Sequence, residues 1–459
     1  MFGRILACIG CVVLPTASWA LGPHEVLVLV NANSPASGRV AREFASLHQV
    51  PEVNLVSLNV ARGKAKVPLA MSPQQFTEEI WQPALRAVRE RGIGDHILAW
   101  AYSVDFPVRV DTDPPVSILG LTFARNRLPD AKSVGEGTYL SALFAGPSGL
   151  GGVEFGAQSL DAQKEWLGDD TPLPSMALGY IGDRGNTLDE VIGALRRGAA
   201  SGTTPPSGTV YFVSTPDIRS KCRQWQFDGA RGQLTMAGVP AVITNAFPSG
   251  RQDIIGIMLG AETVDPAQGR CRYLPGAVAD NLTSFGAAFD APDQTKVSAW
   301  IAAGASAAAG AVTEPLAAWP KFPSARLFVY WASGCALIES YYQSIRCPFQ
   351  LLIVGDPLAS PWGVRDSLAI EGLSRGAIRG PVTVSARIAS GRFYPRCVWL
   401  LDGRVIQRGS GEEPLELDAG RLEPGRHALR IVAYTSGTLR HQSFAEQAFT
   451  VESRTSSGR

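Results

Sequence analysis

From Glu25 to about residue 365, short apolar runs alternate with amphipathic stretches, and this alternation constrains the chain more than any other feature. Apolar runs of about four to eight residues suit strands buried on both faces. Intervening segments with apolar residues every three or four positions suit helices that cover such strands. The pattern predicts an α/β fold, layered around a mostly parallel sheet. Residues 26–30 are the first strand. Ser34 then caps a helix with Pro35 at its first position and Val40, Phe44 and Leu47 on its inner face. A second strand spans 53–60. Ser72 and Gln75 form a capping box that opens a helix with Phe76, Ile80 and Val88 inward, which Pro83 should kink or interrupt. Residues 96–102 are the third strand. The glycine- and proline-rich stretch 105–174 is an excursion from the sheet.

Layering resumes with strand 175–181, helix 187–197 and strands 209–214, 241–244 and 254–259. The small-residue stretch 198–208 marks a seam between possible halves, 22–200 and 201–365. A small-residue helix is expected over 297–309, running into Gly310, Ala311, Val312, Thr313, Glu314 and Pro315. A second helix over 334–342 and a buried strand over 349–354 lead to the turn Gly355-Asp356-Pro357-Leu358. Beyond residue 365 the grammar changes to short strands separated by turns, of which Asp402-Gly403 is the strongest hairpin signal. Residues 366–453 are therefore read as an all-β immunoglobulin-like sandwich.

The first 20 residues read as a secretory signal peptide. Arg4 supplies the charge, residues 5–14 the apolar region, and Ser18-Trp19-Ala20 a small-x-small cleavage site. A periplasmic or secreted protein beginning at Leu21 is expected, with no integral membrane segment after cleavage. The chain carries 42 basic and 41 acidic residues, a net charge of +1, so no long-range field draws it to nucleic acid. Five cysteines lie beyond the signal, an odd number in a compartment where disulfides persist. A helix between Cys335 and Cys347 would hold them about 15 Å apart, too far to bridge. Cys222 with Cys271, both in polar loop-like sequence, is the expected disulfide.

Three segments carry a resemblance to known proteins: residues 25–58; 275–286, which reads Pro-Gly-Ala-Val-Ala-Asp-Asn-Leu-Thr-Ser-Phe-Gly; and the run from Gly310 to Leu358. Together they resemble a family of uncharacterised secreted bacterial proteins, reported mostly in bacteria with exosortase-type protein sorting. Residues 205–362 are also distantly similar to the caspase-like domain of gingipain-type cysteine peptidases. That resemblance implies a histidine after one strand and a cysteine nucleophile after the next, because the imidazole must reach the thiol. Here the first of these strands continues Gly260-Ala261-Glu262, the second segment reads Asp280-Asn281, and no histidine falls between residues 97 and 426. The implied domain is therefore catalytically silent.

Ligands of α/β sheets sit at the carboxyl ends of the strands. That rule nominates Glu262, Asp280, Asn281, Thr283, Ser284, Glu314 and Asp356. Each also has a plainer reading: Thr283 or Ser284 as a cap, Asp356 as a turn former before Pro357, and Glu314 as a solvated carboxylate. No nucleophile elbow, phosphate loop or zinc-helix motif occurs, and no cofactor or metal is implied. Trp225, Trp300, Trp319, Trp331, Tyr341 and Tyr342 could stack on a carbohydrate or a peptide, with core packing as the alternative. The expected function is an exported, envelope-associated binding or assembly factor whose partner is an envelope protein or glycan. The alternative is a secreted hydrolase, peptidase or glycosidase, working through strand-end carboxylates or Thr283 and Ser284.

Overall fold

The computed structural model describes residues 20–60, 68–147, 156–202, 205–363, 366–374, 376–390 and 394–452. All of the signal segment except Ala20 lies outside these residues. The α/β region contributes strands β1 (Val26–Asn31), β2 (Leu55–Leu58), β3 (Ala70–Met71), β4 (Ala99–Tyr102), β5 (Arg109–Val110), β6 (Val116–Ser117), β7 (Ser175–Ala177), β8 (Thr209–Val213), β9 (Ala241–Thr244), β10 (Ile254–Gly260), β11 (Tyr273–Leu282), β12 (Ala307–Ala311) and β13 (Leu351–Gly355). Ten of them form one sheet in the order β2-β1-β4-β7-β13-β12-β11-β10-β8-β9, while β3, β5 and β6 make a small separate sheet. The ladders on either side, β2 to β7 and β12 to β9, are parallel. β13 runs antiparallel to β12 and meets β7 in a single bridge between Val354 and Ala177. The expected mixed α/β layering is present, with a large, parallel-rich sheet.

Local chemistry explains several elements. Ser34 caps the helix Pro35–His48 by accepting from the Ser37 N–H, and Ser72 and Gln75 form the reciprocal capping box. Pro83 is absorbed without a break: a π-helical segment, Phe76–Trp81, precedes it, and Gln82 N–H reaches back to Thr77. One expectation is corrected. The helix over 297–309 stops at Ala302, and Ala307–Ala311 is instead the central strand β12. A Cβ on Gly310 would lie 2.6 Å from the carbonyl carbon of Gly286, so the loop after β11 rests directly on this strand. Only small residues permit that approach, and the tertiary requirement overrides alanine's preference for helix.

The carboxyl region adds β14 (Leu368–Glu371), β15 (Ala377–Ile378), β16 (Pro381–Ile388), β17 (Arg396–Leu401), β18 (Arg404–Gly409), β19 (Leu415–Asp418), β20 (Gly425–Tyr434) and β21 (Gln442–Val451). They form sheets β14-β16-β19 and β15-β21-β20-β17-β18. The Asp402-Gly403 turn joins β17 to β18 with both residues at positive φ, as a tight hairpin requires. Trp399, Leu429, Ile431 and Phe449 face the core between the sheets. Their alternates Val398, Leu400, Val432 and Tyr434 point the other way and merge with the core of the α/β region. The central strands β17 and β20 are thus buried on both faces, and the two regions share a core.

Candidate functional site

The loops that leave β1, β4, β7 and β11 meet along one edge of the large sheet. Tyr180, after β7, stacks on Phe289, after β11, with ring centroids 3.6 Å apart. Arg184 donates to the Phe289 carbonyl at 2.9 Å, and Arg109 pairs with Asp290 at 3.1 Å. Parallel sheets place ligands where the strand order diverges, between β1 and β4 on one side and between β8 and β10 on the other.

At the first of these mouths, Asn31 donates from Nδ2 to the Asp105 carbonyl at 2.6 Å, and its Oδ1 accepts from Asn33 N–H at 3.0 Å. Ser34 Oγ, besides capping its helix, donates to the Asp105 carboxylate. Asp105 is half-buried and holds φ at +61°, a left-handed conformation uncommon for a side-chain-bearing residue. Its carboxylate occupies the amino-terminal pole of the helix Pro35–His48, where an anionic ligand would otherwise be favoured. Burial pushes the neighbouring Tyr180 phenol up to about 12, with Asp183, Asp290 and Asp105 adding to the shift. The mouth is therefore acidic and rich in hydroxyl and amide groups, and it disfavours phosphate.

The second mouth is closed. A Cβ on Gly260 would lie 2.2 Å from the Arg219 carbonyl, so the helix Ile218–Lys221 sits against the end of β10. Beneath it Arg223 is fully buried. Its guanidinium donates to the Asp280 carboxylate, to the Leu259 carbonyl at 2.6 Å, to the Asp280 carbonyl at 3.2 Å and to the Pro323 carbonyl at 3.0 Å. Burial raises the Asp280 carboxyl, and Arg223 opposes that rise. Asn281 clamps the backbone of Ala261 through both ends of its amide, at 3.0 and 3.1 Å. These groups tie the ends of β10 and β11 together.

The seven nominated residues therefore part company. Asp280 and Asn281 are structural, and Arg223, the partner that defines their role, carries no signal in the sequence beyond being one arginine among many. Thr283 is buried and donates to Gln294, and Ser284 is half-buried beside it. Glu262 is exposed, 3.5 Å from Arg219. Glu314 is exposed and accepts from the Leu316 N–H at 2.7 Å, a turn-forming role. Asp356 is a correction. Because β13 is antiparallel to β12, Asp356 lies at the opposite edge, where it pairs with buried His48 at 2.8 Å.

The disulfide expectation is also corrected, since both Cys222 and Cys271 are free. Cys222 Sγ faces the Arg219 carbonyl at 3.4 Å and Cys271 Sγ the Pro248 carbonyl at 3.1 Å. Of the candidate stacking residues, Trp300, Trp331, Tyr341 and Tyr342 are core. Trp225 is half exposed and meets Trp319 edge to face at 5.7 Å, while Trp319 in turn meets Phe144 at 6.4 Å. Phe144 and the exposed Trp166 border an apolar cavity of about 310 Å³ that Thr438 of the carboxyl region helps to close. Among the described residues, no group of three or more histidine, cysteine or carboxylate side chains could hold a metal ion, and no helix is long and apolar enough to cross a membrane.

No family model and no curated protein matches the chain. Among solved structures it is similar to the fibronectin(III)-like modules of Clostridium thermocellum CbhA, at 16% identity over 18% of this chain and 96% of that one, with a TM-score of 0.16. It is also similar to an FMN-binding β-glucuronidase from Facaelibacterium prausnitzii L2-6, at 10% identity over 97% of this chain and 57% of that one, with a TM-score of 0.15. Likeness this slight carries no argument about fold or chemistry.

Proposed function

We propose that this chain is an exported, envelope-associated binding or assembly factor built on a catalytically silent caspase-like α/β region. The observation that carries the reading is the closure of the β10 and β11 ends by Arg223. In the resemblance to gingipain-type domains, those adjacent strands would deliver the histidine and the cysteine. Here they deliver Gly260-Ala261-Glu262 and Asp280-Asn281, whose polar groups are already committed to one another. None of these groups is left to act on a scissile bond, and a thiol without a base is a poor acyl-transfer catalyst. The exposed Trp225 and Trp166, with the partly buried Trp319 and Phe144 between them, supply a surface on which a glycan or an envelope protein can stack.

Purified protein beginning at Leu21 is expected to turn over nothing in broad peptide and glycan libraries. Cys271 should react with electrophilic peptidase probes only as an ordinary thiol, with no protection by substrate-like peptides. Labelling of Cys271 that such peptides abolish would overturn the reading.

A further inference from the structure

The junction between the two regions contains a carboxylate with an incomplete set of charges around it. Glu25 is buried there, accepting from Gly22 N–H at 2.8 Å, from Gln442 Nε2 at 2.7 Å and from Tyr434 Oη at 3.3 Å. His24 lies 3.7 Å away, but burial holds its ring well below its usual range, with His96, Arg430, Arg408 and Arg396 adding to that effect, so it is neutral. Arg396 and Arg440 stand close by, yet both are bonded to Asp161. Burial, with Asp161 adding to it, pushes the Glu25 carboxyl up to about 8. An acid in such a position is protonated at neutral pH unless a cation reaches it.

The same spot holds the expected cleavage point. Gln442 Nε2, which donates to Glu25, also donates to the Ala20 carbonyl at 2.8 Å. The Leu21 nitrogen is bonded to that carbonyl carbon, and the next nitrogen along the chain, that of Gly22, already donates to Glu25. Leu21 is fully buried, and a Cβ on Gly22 would lie 2.3 Å from the Gln442 side chain, so the segment is held tightly against the β20–β21 hairpin.

We propose that removal of the leader completes this junction: the α-ammonium group created at Leu21 pairs with Glu25 and locks the carboxyl-terminal sandwich onto the α/β region. The chemistry balances with water alone. Hydrolysis of the Ala20–Leu21 bond by a signal-peptidase-class enzyme gives the Ala20 carboxylate, which departs with the leader, and a protonated amine on Leu21. That amine has three donors where the peptide nitrogen had one, and it stands one residue before Gly22, whose N–H already donates to Glu25, so that Glu25 then ionises. A buried amino terminus paired with a buried carboxylate offsets the cost of burying either charge alone. Because the scissile bond is enclosed in the folded junction, cleavage precedes docking of the sandwich.

The inference rests on the cleavage reading, so the test supplies the same terminus by engineered proteolysis and fails separately from it. Protein beginning at Leu21 is compared with protein carrying two extra residues before Leu21, each with Glu25 and with Glu25→Gln. The extension should lower Tm by several degrees when Glu25 is present and hardly at all in Glu25→Gln. An equal loss in both backgrounds, or no loss in either, overturns the proposal. Should Glu25→Gln fail to fold, acylation of the wild-type amine decides. In native protein Leu21 should react at least about tenfold more slowly than after unfolding, since it opens only with the junction, and a native rate equal to the unfolded one overturns the lock.

Discussion

The two mouths of the large sheet occupy equivalent places in its topology and are built in opposite ways. Between β1 and β4, buried Ser34 holds Asp105, which is half-buried, carries a left-handed backbone and faces the loop bearing Tyr180 and Asp183. Between β8 and β10, the helix Ile218–Lys221 fills the opening, and Arg223 with Asp280 forms a fully buried ion pair beneath it. A strand-end carboxylate is thus not evidence of a ligand site until its partner is known. Paired with a buried arginine it becomes a rivet, whereas Asp105, held by a serine hydroxyl and itself only half-buried, remains available.

The largest effect that tests this contrast comes from Asp280→Ala. It leaves Arg223 buried without its counter-charge and is expected to cost about 3–5 kcal/mol in denaturant unfolding. A strand-end carboxylate that only held a ligand would leave Tm nearly unaltered on removal, and full burial of the pair reverses that expectation. A loss near zero would show the second mouth to be as open as the first.

A pH titration probes the opposite edge of the sheet. Burial pushes Glu339 up to about 8, against the pull of the Leu160 and Ala336 N–H groups that it accepts from. A carboxyl raised on folding stabilises fully below its unfolded value, near 4.5, and loses that contribution as pH rises through the folded value, near 8. Unfolding free energy should therefore fall across this window, and Glu339→Gln should flatten the fall by up to about 5 kcal/mol. An unchanged slope would remove Glu339 from the account.

Ser34→Ala removes a helix cap and the donor to Asp105, and is expected to cost about 1 kcal/mol. If the first mouth binds a partner, this variant loses binding by more than its lost stability explains. The smallest effect belongs to Glu314→Ala, an exposed turn residue, which should leave Tm where it was. Loss of partner binding in this variant would bring the turn at Glu314 into the binding surface.

Short-range signals were legible because they depend on a few adjacent residues. The Ser34 and Ser72 caps, the Asp402-Gly403 hairpin and most of the buried strands follow from local sterics and hydrogen bonding. The sequence alone also determined the switch from layered α/β to short strands near residue 365 and the absence of a histidine beside β10 and β11. Only the tertiary structure decided the rest. Alanines 307–309 became strand because the chain packs on them from outside their own segment. Asp356 left the candidate site because the direction of β13 is set by its partner β12. Cys222 and Cys271 stayed apart, and Asp280 became structural because Arg223, 57 positions away, reaches it through the core. Local pattern specifies which elements form. The role of a charged side chain depends on the charges brought to it from distant parts of the chain, because burial multiplies an interaction that water would otherwise screen.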